Sequence, residues 1–253
     1  MSKIALITGA TAGIGEACAE RIAAGQFSTL ILTGRRQERL KQLAEQLTET
    51  HGCTCIPLAF DIRNRAATEA AWNTLSVEQQ VIDVLVNNAG LALDKSPLQA
   101  GNPDDWDTMI DTNLKGLLYI TRLVTPGMVA RRQGHVINIG SIAGRETYPG
   151  GNVYCATKFA VEGLSRAMRI DLAPHRVRVT SISPGLVETE FSVVRFKGDA
   201  KRAAQVYQGY APLVARDIAE TVWFAIEQPP HVNINDINLT CTAQANAANL
   251  FKD

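Results

Sequence analysis

Tyr154 and Lys158 stand four residues apart in the stretch NVYCATKFAVEGL, Asn152–Leu164. On a helix that spacing puts a phenol and an ammonium on one face. A phenol titrates near ~10, so it exchanges its proton at neutral pH only with help. A nearby ammonium favours the phenolate and lowers that pKa. The pair is therefore expected to act as an acid/base unit on a substrate oxygen. Ser141 closes the run HVINIGS, thirteen residues before the tyrosine. Its hydroxyl can hydrogen-bond a reacting oxygen while negative charge develops there. Asn113 lies in MIDTNLKG, inside a helical pattern where Asn has poor propensity, which points to another task. Tyr and Lys often share a helix face by chance, so the weight rests on the four residues together with the loop described next.

Thr8-Gly9-Ala10-Thr11-Ala12-Gly13-Ile14-Gly15 follows the first apolar run and opens a helical pattern. Glycines allow a tight turn and the close approach of a pyrophosphate. The helix N-terminus behind them offers free N–H groups to the anion. A glycine-rich turn needed only for packing is the competing explanation. The position after a strand and before a helix favours a dinucleotide. The next strand ends Leu32-Thr33-Gly34-Arg35-Arg36. An NAD site usually places an acidic side chain there for the ribose hydroxyls. A guanidinium suits a 2′-phosphate instead, so Arg35 and Arg36 predict NADP. At ~1.5–3 kcal/mol for each hydrogen bond to a charged group, two contacts favour NADP by several hundred-fold or more. The same arginines could simply begin a solvated helix.

The elements that must hold these residues alternate regularly. Expected strands are Ile4–Thr8, Thr29–Thr33, Cys55–Phe60, Val81–Val86, His135–Ile139, Val177–Ile182 and Ile234–Leu239. They lack strict polar alternation, as strands covered on both faces do. Between them lie amphipathic stretches at Gly13–Ala24, Arg36–Thr50, Asn64–Leu75, Asn152–Leu172 and Asp217–Glu227. A longer one starts at Asn102-Pro103, a cap followed by proline, and is expected to end before Pro126. This order predicts an α/β fold: one Rossmann-type domain over residues 1–253, with a doubly wound parallel sheet of seven strands and helices on both faces. Glu188–Pro212 reads as an irregular polar segment, expected to form a substrate loop.

The TGxxxGxG spacing, with the Asn113/Ser141/Tyr154/Lys158 set, resembles the short-chain dehydrogenase/reductase family. The likeness runs from Lys3 to at least Gly185. It implies hydride transfer between NADP(H) and a carbonyl or alcohol carbon. Ser141 and Tyr154 would hold the oxygen, and Tyr154 would move the proton. Asn113 would orient a water that links Lys158 to solvent. The cofactor would contact Gly9, Thr11, Gly13, Ile14, Gly15, Arg35, Arg36, Asp61, Ile62, Asn88, Ala89, Gly90, Tyr154, Lys158, Pro184, Gly185, Val187 and Thr189. Asp61 would meet the adenine edge, although capping the next helix is an equal alternative. Asn87-Asn88-Ala89-Gly90 resembles the family's NNAG signature.

Three stretches, at Gly150–Tyr154, Glu188–Asp199 and His231–Asn235, are similar to NADP-dependent 3-hydroxy acid dehydrogenases and to sulfoacetaldehyde reductases. Both subgroups handle small anions. Arg195, in the expected loop, supplies a cation to offset anion desolvation, and Tyr148 adds a hydroxyl. Arg195 could instead be an exposed loop residue or meet a cofactor phosphate. Arg145-Glu146 and the tail after Leu239 depart from the subgroup pattern.

Lys+Arg and Asp+Glu both number 25, so neither nucleic acid nor an anionic membrane is favoured as a partner. Five cysteines without a CxxC read as free thiols rather than a metal site, and no metal is expected. No run approaches the ~18 apolar residues of a membrane span and no signal segment is visible, so a cytoplasmic protein is expected. Family likeness of the helices carrying Asn113 and Tyr154 implies a homotetramer. The competing class is an idle NADP(H) sensor, which would not need the proton relay.

Overall fold

The structure is a computed structural model that describes residues 3–25 and 27–252. Its strands are β1 (Lys3–Thr8), β2 (Phe27–Gly34), β3 (Thr54–Ala59), β4 (Val84–Asn87), β5 (Gly134–Ile139), β6 (Val177–Pro184), β7 (Val187–Glu188), β8 (Leu213–Val214) and β9 (Asp236–Leu239). The helices are α1 (Gly13–Ala23), α2 (Gln37–His51), α3 (Arg65–Asn73), α4 (Pro103–Ile110), α5 (Leu117–Arg131), α6 (Asn152–Leu172), α7 (Phe191–Arg195), α8 (Ala200–Gln205) and α9 (Ala215–Glu227). Seven strands form one sheet in the order β3-β2-β1-β4-β5-β6-β9, and every pairing is parallel. β7 and β8 form a separate short pair.

Alternate residues of one strand enter opposite cores. Ala5 and Ile7 of β1 pack with Ile22 of α1, Leu43 of α2 and Val222 of α9. Ile4 and Leu6 pack with Val124 and Met128 of α5 and Leu172 of α6. Both faces are thus buried, which explains the continuous apolar strands. The chain leaves β1 toward β2 and β3, then crosses back to β4 on the other side. The carboxyl ends of β1 and β4 therefore open a crevice at the point where the strand order reverses. Among the described residues, no helix is long and apolar enough to cross a membrane.

Two expectations need correction. The helix begun at Asn102-Pro103 does not end before Pro126. α4 runs into a π-helical turn at Asp111–Gly116, and α5 continues through Pro126 to Arg131. An interior proline costs about 3 kcal/mol. Met128, beyond it, is fully buried, and burial of such a side chain returns about 1.5–3 kcal/mol. The 188–212 segment is not irregular throughout. It contains α7 and α8, with Asp199 capping α8 by accepting from the Arg202 N–H.

Candidate active site

At one end of the crevice the wall is main chain. Gly9 and Gly13 hold φ of 68° and 58°, in the left-handed region that favours glycine. A Cβ on Gly15 would fall 2.3 Å from the Gly9 carbonyl oxygen and 2.4 Å from Asn88 Nδ2. Thr8 and Asn88 brace this turn. The Thr8 hydroxyl accepts from the N–H groups of Asn88 and Ala89, each at 3.0 Å. Asn88 Nδ2 donates to the carbonyls of Thr8 and Gly9 at 2.8 and 3.2 Å. Ala12, which precedes α1, offers no side-chain cap, so the first N–H groups of that helix are left for an anion.

A cleft of about 320 Å³ runs from Arg35 and Arg36 along this turn to Ser141 and Tyr154. Every residue expected at the cofactor borders it except Gly15, which is buried behind Gly9 and Asn88. Arg36 is pinned to the loop: Nε and Nη2 donate to the Thr11 hydroxyl and Nη2 to the Thr11 carbonyl. Arg35 is exposed. Asp61 does not cap a helix. It accepts from Arg63 Nε and Nη2, the shortest contact being 2.6 Å, and those bonds hold its carboxyl below the usual range. Asn64 caps α3 by accepting from the Ala67 N–H.

At the other end the wall is side chain. α6 spans Asn152–Leu172 as the spacing predicts, and it buries Tyr154 and Lys158 together. Lys158 Nζ donates to the Ile139 carbonyl at 2.8 Å and lies 6.0 Å from the Tyr154 ring centre. Ser141 is buried, accepts from the Ala143 N–H at 3.1 Å and borders the cleft beside Tyr154. Asn113 falls within the π turn, a feature frequent at functional sites. Its Oδ1 accepts from the Leu91 N–H, and its Nδ2 donates to the Leu91 carbonyl and the Thr157 hydroxyl.

The expected lowering of the Tyr154 pKa does not hold. Burial pushes the phenol up, and the nearby Arg195 charge and Ser141 hydroxyl oppose it only in part. Burial also pulls Lys158 down to about 8, against the Glu162 carboxylate one turn further on. Removal from water disfavours both charged forms and outweighs the neighbouring groups that favour them.

Tyr148 and Arg195 do not border the main cleft but pack beside Tyr154, which does. The Arg195 guanidinium carbon lies 5.1 Å from the Tyr154 ring centre and 5.5 Å from those of Tyr148 and Phe191. Arg195 Nη2 donates to the Tyr148 hydroxyl. Its Nε is buried with no partner. The two departures from the subgroup pattern interlock. Arg145 pairs with Glu162 and Asp236, and Glu146 accepts from the Ala247 N–H of the tail.

Several contributors escaped sequence reasoning. Glu162 accepts from the Ser181 and Ser183 hydroxyls; its place four residues after Lys158 was a usable signal. Thr157 supports Asn113, and Glu190 joins Arg36 to Arg39; neither has a local sequence signal.

The parallel sheet, the glycine turn and the tyrosine–lysine pair define the chain's class: it belongs to the short-chain dehydrogenase family, whose model matches residues 3–199. It is 51% identical over 245 residues (96% of this chain, 97% of the relative) to an NADP-dependent 3-hydroxy acid dehydrogenase of Shigella flexneri. It is 43% identical over 246 residues (97% and 96%) to sulfoacetaldehyde reductase 2 of Chromohalobacter salexigens. The closed form of serine dehydrogenase complexed with NADP+ matches it with TM-score 0.91 and 51% identity, over 96% of this chain and 97% of that one.

Proposed function

We propose that this chain is an NADP(H)-dependent oxidoreductase that interconverts a small anionic 3-hydroxy acid and its carbonyl form. The carrying observation is Arg195, a cation stacked over Tyr154 whose Nε is buried and unpaired. An unpaired buried donor is costly, and a carboxylate of the substrate would satisfy it. The glycine turn fits a dinucleotide pyrophosphate: side chains at Gly9 or Gly13 would strain the backbone, and one at Gly15 would push into the Gly9 carbonyl that shapes the turn. Arg35 and Arg36 stand where a 2′-phosphate would lie.

The bound nicotinamide supplies or accepts the hydride. The hydroxyls of Ser141 and Tyr154 hold the substrate oxygen, and Tyr154 gives it the proton during reduction. Lys158 Nζ returns that proton, and a pKa of about 8 lets it cycle near neutrality. Asn113, anchored on Leu91 and Thr157, orders the path to solvent. In alcohol oxidation each step reverses.

The chain acts as a single domain within a homotetramer in the cytoplasm. Exposed Leu118 on α5, with Phe159 and Ile170 on α6, supports self-association through these helices. Five free thiols support a reducing compartment. Light scattering on the purified protein tests the assembly.

The deciding experiment is a steady-state screen. It pairs serine and 3-hydroxypropionate with NADP+, and sulfoacetaldehyde and neutral aldehydes with NADPH. Carboxylated substrates are expected to lead in kcat/KM. A lead for sulfoacetaldehyde would move the reading to a sulfonate, and no turnover with any substrate would leave a cofactor sensor. Arg36→Asp is expected to shift the NADP/NAD ratio of kcat/KM toward NAD.

A further inference from the structure

Glu190 leads into α7 and reaches across the cleft to the start of α2. One carboxylate oxygen accepts from Arg36 Nη1 and the other from Arg39 Nη1, both at 2.7 Å. These two bonds hold its carboxyl well below the usual range. Arg36 is fixed from behind by Thr11. An anion with two separated oxygens thus bridges two guanidinium groups at the end of the cleft assigned to the 2′-phosphate. A phosphate monoester makes the same demand on planar donors. Arg39 lies one turn beyond Arg36 on α2, and its side chain is half exposed.

We propose that Glu190 is a tethered anion that competes with the 2′-phosphate of NADP(H) for the Arg36–Arg39 pair, and that Arg39 is the second cation of that phosphate site. The proposal deepens the cofactor reading above and rests on its placement of the 2′-phosphate at Arg36. NADP(H) displaces Glu190 from the arginines, whereas NAD(H), which lacks the phosphate, leaves the bridge in place. Glu190 stands five residues before Arg195 on the same short segment. The Glu190 side chain is 46% exposed, so water screens the competition and its effect is modest.

The test titrates wild-type protein, Glu190→Gln, Arg39→Ala and Arg36→Asp with 2′,5′-ADP and with 5′-AMP, probes that differ only in the 2′-phosphate. Calorimetry reads binding without turnover. Glu190→Gln is expected to tighten 2′,5′-ADP roughly two- to tenfold and leave 5′-AMP unchanged. Arg39→Ala is expected to weaken 2′,5′-ADP by a similar factor, again sparing 5′-AMP. Unchanged or weaker 2′,5′-ADP binding in Glu190→Gln overturns the competition, and unchanged binding in Arg39→Ala overturns the second cation. If Arg36→Asp loses discrimination while the other two variants match wild type, only this inference falls. If Arg36→Asp keeps full discrimination, the phosphate placement falls with it.

Discussion

At the dinucleotide end, the cleft is shaped by backbone: positive-φ glycines, a Thr8–Asn88 brace and the uncapped start of α1. At the end proposed for the substrate it is bordered by Tyr154 of α6 and Phe191 of α7, with Arg195 and Tyr148 packed against these rings from outside the cleft. The first end leaves no room for a side chain at Gly15 and strains one at Gly9 or Gly13, but carries little chemistry of its own. The second depends on the charge and protonation of a few buried groups. Substitutions should therefore fail in different ways at the two ends: by steric exclusion in one, by lost charge or proton transfer in the other.

The largest effect is expected where proton transfer is removed. Tyr154→Phe should lower kcat by about 10²–10⁴ while NADPH still binds, as read by single-turnover kinetics and a fluorescence titration. Retained turnover would remove Tyr154 from the chemistry. At the backbone end, Gly15→Ala forces a methyl to within 2.3 Å of the Gly9 carbonyl oxygen. Overpacking of that kind costs about 1–3 kcal/mol. Urea unfolding should show that loss, with weaker NADPH binding beside it. If both stay at wild-type values, the turn is more yielding than the contrast requires. Arg195→Leu should raise KM roughly ten- to a hundredfold for carboxylated substrates and spare neutral aldehydes, since one charge-assisted bond contributes about 1.5–3 kcal/mol. Equal losses on both classes would assign Arg195 to folding of the loop.

The same contrast governs what could be read from the chain. The glycine turn and its strand and helix are local, so their spacing is visible in one stretch of sequence. Asn113 was visible because Asn suits a helix interior poorly, and the π turn at Asp111–Gly116 is consistent with that reading. Arg39 and Glu190 are 151 residues apart, and Asn113 and Thr157 are 44 apart. No spacing rule links such pairs; only the fold brings them together. Pro126 misled for the opposite reason: a correct local rule was overridden by burial of Met128 on the sheet. The direction of the Tyr154 pKa was misread because the ammonium is in the sequence and the desolvation is not.

That desolvation gives the smallest effect and the one most easily isolated. Burial lowers Lys158 from 10.5 to about 8. Below about pH 8 the amine is charged in both the folded and unfolded chain, and the full cost of burying the charge opposes folding. Between about 8 and 10.5 the unfolded chain binds more protons than the folded one, so this group makes stability rise with pH. Above that window its contribution vanishes. Lys158→Met also loses the donor to the Ile139 carbonyl, but that loss carries little pH dependence. The wild-type minus variant stability should therefore climb by about 1–2 kcal/mol between pH 7.5 and pH 10, measured by urea unfolding at each pH. A flat difference would mean that the ammonium is solvated in the folded chain, and the substrate end would lose the dryness that separates it from the backbone end.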